Sequence, residues 1–187
     1  KKKIVFNFRK RDIINGGEGA PLTPIFHKYL IKSKKINLPA GLLNIGGISN
    51  LTFMKEFNNL SIISKDVGPG NCLIDSWIQK FTEEKLEKKK KISSRGNINK
   101  VILEQALEVH EHNFKNKDNI SLDTNDFDIS FVRGLSLEDG AATLAAFTAK
   151  VISSNIKNFL KNFNNNKLTI LLSGGGRKNK YLIDHFL

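Results

Sequence analysis

The sequence predicts an α/β domain built on a mixed β-sheet. Short apolar runs typical of strands alternate with longer segments of helical periodicity, and glycine-rich turns follow several of the runs. The strands come first as a meander, and a helix, a strand and a final helix follow. A chain of 187 residues that is 40% hydrophobic is also long enough to bury an apolar core.

The first part of the chain contains one predicted strand and one predicted helix. Ile4–Phe6 is a short apolar run typical of a strand, and the polar residues 7–12 indicate a loop after it. Residues 15–21 are too rich in glycine and proline for regular structure. A helix is predicted from Pro24 to Ile31, because its apolar residues recur at helical spacing and proline suits the first turn.

An antiparallel meander of three strands is predicted next, over Gly41–Ile45, Leu51–Met54 and Leu60–Ile63, with short polar or glycine turns between them. The pattern then becomes helical from Leu73 to Phe81.

In the second half of the chain, the pattern predicts a solvated lysine run at 85–91, an amphipathic helix at 98–110 and a long irregular connection at 115–131. It then predicts a long helix at 136–160 that is capped by Ser136, a buried strand at 168–172 and a final helix at 181–186.

The charge of the chain does not favour nucleic-acid binding. The formal net charge is +12 and the pI is about 9.8, but much of the excess comes from the lysine run at 85–91. Surfaces that bind nucleic acids more often interleave arginine and exposed aromatic residues with lysine. We therefore interpret the lysines as solvated faces.

Other composition features restrict the class further. The single cysteine, Cys72, cannot form an internal disulfide or a cysteine metal site, which fits a reducing cytoplasm, and it is expected to be a small buried residue. The longest strongly apolar stretch, 141–152, falls short of the ~20 residues that a membrane-spanning helix requires. The four histidines have no metal-ligand spacing and are expected at the surface.

Three glycine clusters each follow or adjoin a predicted strand, at 44–50, 66–71 and 173–179. Glycine lets the backbone approach a phosphate or a purine ring closely, and free amides at a turn favour anions. None of the clusters has the spacing of a P-loop or of a dinucleotide-binding turn. A nucleotide site would therefore belong to another architecture.

Asp66 is the strongest single candidate for chemistry. It is predicted to end a strand before a Gly-Pro-Gly turn, where its carboxylate could act as a general base. An aspartate that caps a helix or binds turn amides fits the spacing equally well. Arg9 and Asp12 precede the first glycine loop, and on their own they are more typical of a solvated loop than of a binding rim.

Five motifs occur in series along the chain. They are D-F-R-x-x-D-x-x-x-G-G-x-G-A-P-L with Asn7 at its head, N-I-G-G-x-x-N-[LV]-[TS] from Asn44, D-x-G-P-G-N from Asp66, S-L-D-T-N-D-F from Ser121 and G-G-G-x-x-N from Gly174. This series spans nearly the whole chain and closely resembles the anhydro-N-acetylmuramic acid kinase family.

The resemblance implies an actin-like ATPase fold of the sugar-kinase, ribonuclease H-like type, in which two α/β lobes close over ATP and Mg²⁺. In the implied reaction of peptidoglycan recycling, water opens the 1,6-anhydro ring of anhydro-N-acetylmuramic acid while ATP phosphorylates its 6-oxygen. The products are N-acetylmuramate 6-phosphate and ADP. The implied partners are this sugar and ATP, with a homodimer as an option and without nucleic acid or membrane.

The resemblance also assigns roles to residues. Asp66 corresponds to the catalytic base that activates water. The implied sugar-binding residues are Arg9, Asp12, Gly68 and Asn71. The implied nucleotide-binding residues are Gly46, Gly47, Asn50, Gly174, Gly175, Gly176 and Asn179. Metal ligands are not implied.

The chain departs from the family in two ways. Asn7 stands where the family has aspartate. Two segments of the family, the N-terminal M-S-G-T-S-x-D-G hairpin and the segment after the last helix, have no counterpart here, so the chain is expected to be truncated at both ends relative to the family. We therefore expect a central-to-C-terminal fragment that is inactive alone. Residues 1–37 would be the end of the N-terminal lobe and the crossover with the sugar-site loop, and 38–187 would be the C-terminal ATPase lobe.

Three alternatives remain at this point. A related kinase could act on another sugar, and a substrate screen would reveal it. A non-catalytic nucleotide-binding module of the same fold would bind ATP without turnover, and Asn7 is its only hint in the sequence. A basic nucleic-acid binder would show steeply salt-dependent binding.

Overall fold

The structure is a computed structural model that describes residues 2–17, 19–58, 61–81, 91–114, 121–161 and 168–186. The helices are α1 Phe8–Ile14, α2 Pro24–Ser33, α3 Cys72–Gln79, α4 Lys100–Phe114, α5 Leu137–Leu160 and α6 Lys180–Asp184. The strands are β1 Ala40–Ile45, β2 Ile48–Met54, β3 Ile62–Pro69 and β4 Thr169–Ser173. The predicted mixed α/β class is confirmed. Most of the predicted lysine run and the start of the predicted irregular connection lie outside the described residues.

The four strands form one mixed sheet in the order β3-β2-β1-β4. β2 runs antiparallel to both β1 and β3, whereas β4 runs parallel to β1. The predicted meander is thereby confirmed. Because β1, β3 and β4 all point the same way, their carboxyl ends meet at one edge of the sheet.

Helices cover the two faces of the sheet. Thr52 of β2 contacts His27 of α2, since the His27 Nδ1 and Thr52 Oγ1 atoms lie 2.8 Å apart. The next residue, Phe53, packs its ring edge-on against Phe159 of α5, with the ring centroids 5.4 Å apart. Neighbouring residues of a strand point to opposite faces, so α2 and α5 cover opposite sides.

Helix α5 is the centre of the larger core. Ser136 caps it by accepting a hydrogen bond from the Asp139 amide at 3.1 Å, as the sequence predicts. Trp77 of α3 crosses the start of α5 and donates from its indole nitrogen to the Leu137 carbonyl at 3.0 Å. Buried residues of α5 include Leu144, Ala145, Val151 and Ile152.

The prediction for the first residues is wrong. Ile4, Val5 and Phe6 form no strand and are 74–83% exposed, because no strand in the described part of the chain pairs with them. The polar stretch after them does not form the predicted loop either. It begins helix α1, which buries none of its residues.

Two strands also differ from their predictions. β3 runs on to Pro69 instead of ending at Ile63, because β2 begins at Ile48 and the two strands stay paired to their ends. β4 was expected to be buried, yet Ile170 and Leu172 are 36% and 39% exposed. Within the described residues β4 pairs only with β1, so an edge position leaves part of its apolar surface uncovered.

The expectation that all histidines lie at the surface is wrong for three of them. His185 is half-buried, with its Nδ1 atom 2.7 Å from the Tyr181 carbonyl oxygen. His27 is buried under the hydrogen bond with Thr52, and burial lowers its pKa. His110 of α4 is half-buried and stacks on Phe114 at 4.3 Å between ring centroids, and burial lowers its pKa as well.

Candidate functional site

The three glycine clusters come together at the edge where β1, β3 and β4 end. Gly46 and Gly47 form the β1–β2 turn, Gly70 follows β3, and Gly174–Gly176 follow β4. The sheet order places the ends of β1 and β4 side by side, with β3 two strands away from β1. Sequence clusters far apart in the chain therefore share one surface.

The β1–β2 turn is bonded directly to the start of α3. The amides of Gly70 and Asn71 donate to the carbonyls of Gly47 and Gly46, both at 2.7 Å, and the Cys72 amide donates to Gly47 at 3.2 Å. A Cβ on Gly70 would collide with the Gly46 carbonyl, so only glycine allows this approach. The Cys72 amide at the start of α3 and the two amides before it thus bind the protein's own turn instead of a free anion.

The turn after β4 also packs closely on β1. Gly174 has a positive φ of 80°, and a Cβ there would collide with the Ile45 carbonyl. The Arg177 guanidinium donates to the Gly174 carbonyl at 2.7 Å, which places a positive charge on this turn. Gly47 and Gly175 are both exposed. Two glycines therefore present accessible backbone at this edge.

A row of polar side chains crosses the sheet beside these turns. Asn44 of β1 pairs with Asn50 of β2 and with Ser173 of β4, and Asn50 pairs in turn with Asp66 of β3. Paired residues of neighbouring strands share a face, so these four side chains lie on the same side of the sheet. The Ser173 hydroxyl donates to Asn44 Oδ1 at 3.2 Å, which joins two of them.

Asp66 is the only acidic residue of this row, and one of its oxygens is held in place. The Leu122 amide donates to Asp66 Oδ2 at 2.9 Å, and the Ser121 hydroxyl lies 3.4 Å from the same atom. Asp66 is half-buried. Among the described residues Oδ1 has no hydrogen-bond partner, so this oxygen is available to accept a proton from a ligand or water.

The prediction that Asp66 ends its strand is wrong, because β3 continues for three residues beyond it. Asp66 is held by pairing with Asn50, next to a bulge between Ser49 and Asn50. Asp66 does not cap α3, which has no side-chain cap. Its carboxylate does accept a hydrogen bond from a backbone amide, that of Leu122. This agrees in part with the alternative in which Asp66 caps a helix or binds turn amides.

The other sugar-site candidates lie in different surroundings. Asp12 lies in α1 and accepts a hydrogen bond from the Gly19 amide at 2.8 Å, and Arg9 is exposed on the same helix. Gly68 is buried against α5, where a Cβ would lie 2.9 Å from Val151 Cγ1. Asn71 donates from its side chain to the Gly46 carbonyl at 3.2 Å. Binding roles for these residues stay predictions.

Asn179, a candidate for nucleotide binding, is 4% exposed and caps α6 by accepting a hydrogen bond from the Leu182 amide at 3.2 Å. Two members of the polar row were not singled out from the sequence. Asn44 begins one of the quoted motifs and Ser173 begins the glycine cluster at 173–179, but alternation assigns each of them only to a face of its own strand. Pairing across the sheet, which the structure supplies, makes them neighbours.

The described residues contain no group of three or more His, Cys, Asp or Glu side chains that could hold a metal ion. Cys72 is half-buried and not fully buried as expected, and burial raises the pKa of its thiol, which does not favour a nucleophile. In the same part of the chain, no helix is both long and apolar enough to span a membrane.

Comparison with known proteins decides the family. A family profile described as "Anhydro-N-acetylmuramic acid kinase" matches residues 2–187. The chain belongs to the anhydro-N-acetylmuramic acid kinase family. The mixed sheet flanked by helices agrees with the α/β fold of a sugar-kinase-like fragment.

Curated relatives that the chain resembles carry the name anhydro-N-acetylmuramic acid kinase. The chain is 48% identical to the protein of Pelagibacter ubique over 184 residues, which cover 98% of this chain and 49% of the relative. It is 37% identical to the Zymomonas mobilis protein over 96% of this chain and 47% of the relative. It is 36% identical to the Methylorubrum populi protein over 97% of this chain and 46% of the relative. The chain thus spans about half the length of these relatives.

Proposed function

We propose that the protein is an ATP-dependent kinase that converts anhydro-N-acetylmuramic acid to N-acetylmuramate 6-phosphate. The observation that carries the proposal is Asp66, whose Oδ2 is fixed by the Leu122 amide at 2.9 Å on the edge of the sheet where the glycine turns meet. Family membership supplies the reaction to test. A cytoplasmic location and a homodimer are part of the proposal.

In the proposed reaction Asp66 accepts a proton from water through Oδ1. The water oxygen bonds to C1 of the sugar and the bond between C1 and O6 breaks. O6 takes the γ-phosphoryl group, and ADP leaves. A positioned carboxylate base of this kind contributes roughly 10²–10⁴-fold to a rate. The hydrogen bond to Leu122 supports this role, because it fixes the carboxylate before the substrate arrives.

The nucleotide would lie along the glycine turns. Gly46, Gly47 and Asn50 are proposed to contact its phosphates, and Gly174–Gly176 with Asn179 to border the adenosine. The exposure of Gly47 and Gly175 and the charge of Arg177 support this assignment. Bound Mg²⁺ would neutralise charge that develops on the phosphates, and such ions usually take one or two carboxylates with the remaining ligands from phosphate and water.

Arg9, Asp12, Gly68 and Asn71 are proposed to line the sugar pocket, with residues 1–37 as the end of one lobe and 38–187 as the other. Helix α1 exposes Arg9, so its guanidinium can reach a sugar oxygen or carboxylate.

The direct experiment incubates the whole protein with ATP and anhydro-N-acetylmuramic acid and detects the sugar phosphate by mass spectrometry. The expected product is N-acetylmuramate 6-phosphate, formed with an equal amount of ADP. N-acetylmuramic acid, whose ring is already open, and glucose serve as matched substrates. A faster reaction with either of them would indicate a kinase for another sugar, and ATP binding without turnover would indicate a non-catalytic module.

A further inference from the structure

The side chain of Asn44 lies between two of the glycine turns. Its Oδ1 atom accepts the hydrogen bond from Ser173 at 3.2 Å and lies 2.8 Å from where a Cβ on Gly174 would be. Its Nδ2 atom lies 3.6 Å from where a Cβ on Gly46 would be. The amide group therefore spans the space between the turn after β4 and the turn after β1.

The donor end of this amide is unused. Among the described residues the Asn44 Nδ2 group has no hydrogen-bond partner, although Asn44 is half-buried and its Oδ1 is bonded. A carboxamide nitrogen carries two N–H donors, and half-buried donors are normally bonded to protein, water or ligand. Because Asn44 lies beside two glycine turns, which carry no side chains, a ligand oxygen has room to approach Nδ2.

We propose that Asn44 is a phosphate-binding residue whose Nδ2 donates a hydrogen bond to a phosphate oxygen of the bound nucleotide. Ser173 is a positioning residue that fixes the amide, because its hydroxyl donates to Oδ1 and leaves Nδ2 facing the ligand. A neutral amide suits this place, since a carboxylate there would repel the phosphates. This inference rests on the proposed function.

The decisive variant is Asn44→Asp. Aspartate has the same shape and keeps an oxygen that accepts from Ser173, so the fold is retained while the donors are lost and a negative charge is added. We expect affinity for ADP to fall by at least about tenfold, which is the loss typical of one hydrogen bond to a charged group. Affinity for adenosine should change by less than about twofold, since the lost donor serves phosphate alone.

Ser173 is tested by a rescue and by a double mutant. Ser173→Ala should weaken ADP binding less than Asn44→Asp does, and Ser173→Thr should restore it because the hydroxyl is kept. In the Asn44→Asp background, Ser173→Ala should cause no further loss, since the two residues act through one contact. Asn113→Asp is the matched control, because Asn113 is exposed on α4.

The measurement is calorimetric titration of the whole protein with ADP and with adenosine, with thermal melts to verify folding. Two results with an unmodified protein that binds ADP would overturn this inference and leave the proposed function standing. In the first, the Asn44→Asp variant keeps its affinity for ADP. In the second, the variant loses affinity for ADP and for adenosine equally. If the unmodified protein binds no nucleotide, both are overturned. If the Asn44→Asp variant loses affinity for ADP but not for adenosine, the inference and the proposed function are both supported.

Discussion

At the scale of single residues, the carboxylate of Asp66 is the most informative feature. One of its oxygens is held by the Leu122 amide, and an asparagine at this position could still accept that hydrogen bond through its side-chain oxygen. Replacement by asparagine therefore removes the basic group with little change in shape. An effect of this substitution on the rate would then come from the lost base and not from a changed local structure.

We predict that Asp66→Asn lowers kcat by roughly 10²–10⁴-fold, the contribution typical of a general base. ADP affinity should be unchanged, because the proposed nucleotide contacts come from the glycine turns. Turnover is measured by sugar phosphate formation and binding by calorimetry. Asp184→Asn, on the exposed end of α6, is the control and should keep full activity. Normal turnover of Asp66→Asn would remove the residue from the base role.

The half-buried imidazole of His110 makes stability depend on pH. Burial lowers its pKa from the ordinary value of 6.5, so below that pH the unfolded chain binds more protons than the folded one. Stability is therefore fully present above about pH 6.5 and falls as the pH drops toward the lowered pKa. Burial of His27 acts in the same direction.

We predict that His110→Phe reduces this loss of stability at acid pH. Phenylalanine keeps the stacking on Phe114 and Phe127 but cannot take up a proton. The free energy of unfolding is measured in urea at a series of pH values from 5 to 8. His112→Gln, at an exposed position of the same helix, should leave the pH dependence unchanged. If the unfolding free energy of the His110→Phe variant fell with decreasing pH as steeply as that of the unmodified protein, the account would be contradicted.

At the scale of elements, the contact between the β1–β2 turn and the start of α3 fixes the shape of the site. It consists of three backbone hydrogen bonds and a close approach at Gly70. We predict that Gly70→Ala destabilises the fold by about 1–3 kcal/mol, as overpacking does elsewhere, and that it also lowers activity.

Gly134→Ala is the control for this substitution, since a Cβ there meets nothing within 4 Å. We expect its unfolding free energy to change by less than about 0.5 kcal/mol. Urea unfolding of both variants gives the comparison. If Gly70→Ala were as stable as Gly134→Ala, the close approach would not constrain the turn.

Helix α5 contains a second testable feature, the buried hydroxyl of Thr148. Among the described residues it has no hydrogen-bond partner and the residue is fully buried. A buried unpaired polar group costs roughly 1–3 kcal/mol, so Thr148→Val should raise the free energy of unfolding by about 1 kcal/mol.

Thr143, on the same helix, supplies the matched comparison of opposite sign. Its hydroxyl accepts a hydrogen bond from the Asn99 amide at 3.0 Å, so Thr143→Val should lower the free energy of unfolding by roughly 1–3 kcal/mol. Both variants are compared by thermal and urea unfolding. A loss of stability in Thr148→Val would show that its hydroxyl is bonded.

At the scale of the whole molecule, periodicity predicted the elements that bury a face. The meander, the long α5 and the class of the sheet are confirmed, because each buries apolar residues at the spacing that its geometry requires. Ile4–Phe6 and β4 were misjudged for a common reason. An apolar run records what a strand could bury, whereas exposure depends on which strands and helices are beside it.

The site was predictable in part. The glycine clusters and Asp66 are visible as motifs, and the sheet brings the clusters to one edge. The row from Ser173 through Asn44 to Asp66 depends on pairing register and on a bulge between Ser49 and Asn50, which the spacing of motifs along the chain does not reveal. The contact between Leu122 and Asp66, 56 residues apart, is likewise a product of the fold.

The most direct test of the account follows the oxygen of water. The whole protein is incubated with ATP and anhydro-N-acetylmuramic acid in ¹⁸O-labelled water, and the product is analysed by fragmentation in the mass spectrometer. Because water is proposed to attack C1 while O6 takes the phosphoryl group, the sugar phosphate should carry one ¹⁸O atom on C1 and none in the phosphate. Label in inorganic phosphate without sugar phosphate, or an unlabelled sugar phosphate, would contradict the account.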